Sequence, residues 1–136
     1  MSGLSPDSPI PTEIKLHKTS KMLEVAFNDG ARFEMSFEYL RTHSPSAEVR
    51  GHGPGQETLQ VGKQFVDIER IEPVGQYAVV LEFSDQHNTG IYSWDYLYEL
   101  GKNKDAYWAD YLARMAAAGA SREPLSAQFQ MRPKSK

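Results

Sequence analysis

Four histidines, His17, His43, His52 and His87, are the side chains of this sequence best suited to chemistry. Imidazole and carboxylate suit zinc or ferrous iron, so His43, His52 and His87, with Asp85 beside the last, make the candidate metal set. The spacing gives it little support. No H-x-x-x-H pair occurs, and the second residue after each histidine is Thr19, Pro45, Pro54 or Thr89, so the H-x-D or H-x-E opening of a two-histidine, one-carboxylate iron site is absent. Ordinary polar loop histidines are the competing reading. The segment Arg50-Gly51-His52-Gly53-Pro54-Gly55-Gln56 invites a phosphate-loop reading, because exposed backbone amides cradle anions. It lacks the Lys-Ser/Thr of a Walker loop and the strand-to-helix setting of a dinucleotide fingerprint. Ser44 and Ser46 stand near His43, but no G-x-S-x-G elbow accompanies them, and the scattered carboxylates offer no acid/base pair. No catalytic residue is assigned. With no cysteine in the chain, disulfides, thiol nucleophiles and cysteine-bound clusters are excluded for the chain acting alone.

The frame that must position these groups is small. A length of 136 residues fits one domain, and 40% hydrophobic with 24% charged residues is ordinary for a globular protein. Apolar runs such as Tyr77 to Leu81 are far too short for a membrane span. Net charge is −3, unevenly spread: residues 121–136 hold four basic residues against Glu123, leaving the body acidic. An acidic body argues against a nucleic-acid face, which needs clustered Lys and Arg. The expected division is a flexible N-terminus over 1–10, one domain over 11–119 and a flexible basic tail over 120–136. The Ser- and Pro-rich start lacks the pattern of a signal peptide and, with the absence of cysteine, points to the cytoplasm.

Alternation predicts strands over Thr12–His17, Lys21–Phe27, Ala31–Phe37, Phe65–Ile71 and Gln76–Phe83, with another around Gly90–Ser93. Asn28-Asp29-Gly30 suits a three-residue hairpin loop with Gly30 left-handed, which pairs Phe27 with Ala31, Val25 with Phe33 and Leu23 with Met35. A two-residue turn would set Val25 against Glu34 and break the shared apolar face. Phe37–Thr42 reads as a short helix stopped before Pro45, and 44–63 as an irregular stretch. Trp94, Leu97 and Leu100 lie at helical spacing before Gly101; Trp108, Tyr111, Leu112 and Met115 form a core stripe on a helix over Asp105–Ala118. Strands first and helices last predict an α+β fold, a largely antiparallel sheet with the C-terminal helices packed on one face in two layers.

Thr12-Glu13-Ile14, Asp29-Gly30, Tyr39-Leu40-Arg41, the run from Ser44 to Gly53 and the run from Asp85 to Leu97 together resemble the DUF971 family, the gamma-butyrobetaine hydroxylase-like N-terminal domain. The resemblance spans roughly residues 11–101. In carnitine-synthesis hydroxylases such a domain precedes an iron and 2-oxoglutarate-dependent barrel and binds zinc through C-x-C-x-x-C and a later histidine. The resemblance puts those positions on Ser44, Ser46, Val49 and His87, of which only His87 is a zinc ligand, so loss of the zinc is expected. It also implies that the catalytic barrel has no room in this chain. Similar domains fused to P-loop ATPases of iron–sulfur assembly imply a role near iron, by analogy of fold.

These readings lead to a non-catalytic accessory or binding module that meets a protein partner or small anion through the 44–55 loop and the His87 turn. Its contact residues would be Arg41, Ser44, Ser46, Arg50, Gly51, Gly53 and Gly55. The alternative is a metal-binding protein or small metal-dependent enzyme holding zinc or iron with His43, His52 and His87. A third reading makes His87 purely structural, fixing the entry to the Gly90 strand.

Overall fold

The computed structural model describes residues 8–50 and 58–124. Strands β1 (Pro11–His17), β2 (Met22–Phe27) and β3 (Arg32–Ser36) form one antiparallel sheet in chain order. Gly30 adopts φ +91°, and the loop sets Val25 opposite Phe33 and Leu23 opposite Met35, with the Phe27 amide donating to Ala31 O at 2.8 Å. That is the expected register, and it puts Leu23, Val25, Phe27 and Met35 into the core.

Helix α1 (Phe37–Thr42) starts directly from β3, capped by Ser36 Oγ, which accepts the Tyr39 amide at 2.9 Å. All six of its residues are buried, so its polar members need internal partners. A single turn, α2 (Ala47–Arg50), follows inside the stretch expected to be irregular. The second sheet is β4 (Ile68–Val74), β5 (Ala78–Phe83) and β6 (Ile91–Ser93), again antiparallel and in chain order. The strands therefore make two three-stranded sheets and not one. Residues 37–67 separate β3 from β4, too long a break for hairpin pairing, so each meander closes on itself. Lys18 joins the two, its Nζ donating to Ile68 O at 2.8 Å and pairing with Asp67. His17, at the end of β1, keeps its side chain 42% exposed and pairs with Glu24 at 2.9 Å.

Helices α3 (Trp94–Lys102) and α4 (Lys104–Ala118) complete the α+β fold. Ser93 caps α3, and Gly119 ends α4 in the left-handed conformation at φ +63°. One core takes Ile68, Leu81 and Phe83 from the second sheet, Phe37 and Leu40 from α1, and Leu97 and Leu100 from α3. Leu112, expected on the buried stripe of α4, is 38% exposed, whereas Tyr111 and Met115 are buried. The chain past Gly119 does not leave the body at residue 120. Ser121 O and Arg122 O accept the amides of Gly62 and Gln64 at 3.0 and 2.9 Å, so the structured unit runs beyond the expected limit at 119. No described helix is long and apolar enough to cross a membrane.

Candidate functional site

After α1 the chain turns through His43, Ser44 and Pro45 into α2. Ser44 is fully buried, and its Oγ lies 2.8 Å from His87 Nε2 while accepting the Ser46 amide at 3.2 Å. Ser46 Oγ lies 2.8 Å from Thr89 Oγ1. Two hydrogen bonds thus fasten the 44–46 turn to the 87–89 turn. A β-carbon on Gly90 would lie 2.5 Å from Ser44 Oγ and 3.2 Å from Pro45 Cδ, so glycine alone allows this approach.

Asp85 anchors the neighbouring layer. Its carboxylate takes Arg41 Nε at 2.9 Å, Lys63 Nζ at 2.5 Å and the backbone amide of His87 at 3.3 Å. Partial burial alone would raise its pKa, but the Lys63 hydrogen bond and the charges of Arg41 and Lys63 outweigh that and hold it below the usual aspartate value. Arg41 Nη1 also donates to Gln60 Oε1 at 2.9 Å. Arg41, Ser44 and Ser46, expected as contact residues, are buried with their polar atoms used inside the fold. Their hydrogen bonds run to the 85–89 turn, to Gln60 and within the loop itself. Arg50 is exposed as expected, while His52, Gly51, Gly53 and Gly55 lie outside the described residues.

The Ser44–His87 distance is that of a nucleophile and its base, yet no substrate can reach a fully buried Oγ. The His87 ring is bound to Ser44 inside the fold. His43 keeps other company. Its ring packs on Tyr39 at 4.6 Å and parallel to Tyr107 at 6.2 Å, and Nδ1 lies 3.0 Å from Tyr39 O, which makes Nδ1 the protonated nitrogen. Among the described residues no group of three His, Asp or Glu side chains could hold a metal. Nor do the positions given by the family resemblance fit zinc: they present two hydroxyls, the alkyl group of Val49 and an imidazole whose Nε2 is already bonded to Ser44.

Burial lowers the His43 pKa, so the ring is neutral at pH 7. Below about pH 6.5 the unfolded chain takes up a proton that the folded one refuses, so stability falls as pH drops from there toward the depressed folded value. Urea unfolding at about pH 7.5 and 5.5 should show a lower midpoint at the acid value, and His43→Gln should shrink that difference.

Beside the clasp a cleft of about 250 Å³ opens between α2, α3, α4 and the 58–60 segment. Tyr96, Tyr107, Tyr111 and His43 supply its aromatic wall, Arg50 and Arg114 its cations, and Glu99 and Asp110 its carboxylates. The phenols are fixed: Tyr96 OH donates to His43 O, Tyr107 OH to Glu99 Oε2 and Tyr111 OH to Gln60 O, each at 2.6 Å. Burial pushes the Tyr96 and Tyr111 hydroxyls up to about 12, so they remain donors at any physiological pH. The Arg50 guanidinium lies 5.4 Å from the centre of the Tyr96 ring. The tyrosines were missed as site residues because an aromatic stripe on a helix reads as core. The signal that could have found them is Tyr107, Tyr111 and Arg114, a polar-tipped row at i, i+4 and i+7.

The chain is thus a small α+β domain with a closed polar clasp beside a cleft lined by aromatic and charged side chains. Residues 14–98 match the model of the gamma-butyrobetaine hydroxylase-like N-terminal family, and the chain belongs to that family. Two NMR solution structures are each 50% identical to it at TM-score 0.75, one covering 86% of this chain and 92% of its own, the other 90% and 93%. A crystal structure of a DUF971-family protein of unknown function from Acidithiobacillus ferrooxidans is 40% identical, with TM-score 0.57, over 67% of this chain and 91% of that one. No curated protein matches.

Proposed function

We propose that this chain acts by binding rather than by catalysis, as an accessory module that receives a protein segment in the tyrosine-lined cleft. One contrast carries the reading: the described Ser44–His87 pair at reacting distance is sealed inside, while the cleft beside it presents the half-buried rings of Tyr96 and Tyr107 and the exposed side chains of Arg50 and Arg114, over a buried Tyr111. Aromatic walls with charges of both signs match a polypeptide, whose apolar and acidic side chains would meet the rings and Arg50. The acidic residues in the lining disfavour a nucleic-acid backbone. A setting in iron or iron–sulfur metabolism is supported by the family resemblance alone.

Photo-crosslinking in cells that naturally make the chain tests this. A benzophenone side chain at Tyr107, in the cleft, should give a discrete adduct that Arg50→Glu removes; the same group at Tyr77, exposed in the β4–β5 turn, should not. Identical adducts from both positions, or none from Tyr107, would overturn the proposal.

A further inference from the structure

We infer that the Ser44–His87 and Ser46–Thr89 bonds form a metal-independent clasp standing where cysteine-bearing members of the family place zinc, and that the backbone around it keeps the arrangement such a site needs. The donor chemistry excludes the metal from the native residues. Zinc sites are built from thiolate, imidazole and carboxylate, and here one imidazole meets two hydroxyls and an alkyl side chain. The hydrogen bonding leaves nothing over for an ion: among the described residues no buried side-chain nitrogen or oxygen lacks a partner, and Ser44 Oγ and His87 Nε2 are each other's partners at 2.8 Å.

The backbone argument is separate. The Val49 and Arg50 amides both donate to Ser46 O, at 3.0 and 2.9 Å, so one tight turn carries positions 46 and 49. Ser44 opens that turn through its bond to the Ser46 amide, and Val49 is buried at 6% exposure. The 87–89 turn is held against it from the other side by the two clasp bonds and by the close approach of Gly90. Hydrogen bonds thus do the fastening that a metal would otherwise do: two segments more than forty residues apart are joined at one buried point.

The test uses the full chain in two forms. The native protein, dialysed against chelator, should hold well under one metal per chain, and its Tm should be the same with and without EDTA. A triple variant, Ser44→Cys, Ser46→Cys and Val49→Cys, should bind about one cobalt(II) per chain with thiolate charge-transfer absorption, about 100-fold tighter than the native chain. Adding His87→Ala to the triple variant should change the cobalt spectrum and weaken binding. A native protein that retains one zinc, or loses Tm in EDTA, would overturn the metal-independent clasp. A folded triple variant that binds no cobalt would overturn the retained backbone. Should the triple variant not fold, Ser44→Ala and His87→Ala decide: as one clasp, the double substitution lowers Tm no further than the worse single one, and additive losses would contradict it.

Discussion

Gly101→Ala is expected to lower stability by about 3 kcal/mol, an overpacking cost at the upper end of the usual range, and Tm by about 10 °C. A β-carbon there would lie 2.3 Å from Phe33 Cγ, 2.4 Å from Cδ2 and 2.8 Å from Cβ. These are atoms near the root of the side chain, and the Phe33 ring is held edge-on by Tyr98 at 5.3 Å and by Phe27 at 6.0 Å. The ring cannot swing away without opening that aromatic group, so α3 must shift off β3. Because α3 carries Tyr96 and Glu99, the cleft should lose its shape along with the stability. Thermal unfolding of Gly101→Ala, Phe33→Ala and the double variant checks the cause. The double variant should be less destabilised than the sum of the singles by about 1–2 kcal/mol, and strict additivity would show that the clash is elsewhere.

Arg122→Ala should cost about 2 kcal/mol, a buried-charge penalty reduced for the exposure of the arginine itself. Glu38 is only 6% exposed, and Arg122 Nε and Nη2 meet its two carboxylate oxygens at 2.8 and 2.7 Å. Without that fork a carboxylate remains in the interior unmatched. The guanidinium also lies 5.4 Å from the Trp108 ring centre, a second contact that alanine removes. Arg122→Lys keeps the charge but neither the paired geometry nor the flat stacking, and should recover less than half of the loss. Adding Glu38→Gln to Arg122→Ala should restore part of the stability by removing the stranded charge. A neutral Arg122→Ala, measured by urea unfolding, would mean that the 121–124 segment lies on the body without holding it.

How much of this could be read ahead of the structure depended on distance along the chain. The Asn28-Asp29-Gly30 loop and the β2–β3 register were legible because a three-residue turn and the apolar alternation select the same pairing. Val79, Leu81 and Phe83 are buried as their alternation implies, whereas Tyr77, expected on the same face, lies in the β4–β5 turn and is exposed. Local signals misled where a tertiary contact overrode them. Gly101 reads as a helix stop, yet α3 runs through it to Lys102, since its bare α-carbon is where Phe33 packs. Arg122 reads as one charge of a basic tail, yet it neutralises Glu38 from 84 residues away. The site divided in the same way. Ser44, Ser46 and His87 were singled out, the serines as contacts and His87 as a ligand or a structural residue of its own turn; only the 43-residue reach from Ser44 to His87 shows these two as partners of each other. Arg50 keeps its exposed position, and the tyrosines around it become a surface only when α3, α4 and the 58–60 segment meet.

Amide chemical-shift mapping of the labelled chain with the protein recovered through Tyr107 measures the binding reading most directly. The account predicts shifts at Arg50, Tyr96, Glu99, Tyr107 and Tyr111, with the first sheet undisturbed. Shifts confined to that sheet, or the recovered protein being chemically altered in a manner that Ser44→Ala abolishes, would contradict it.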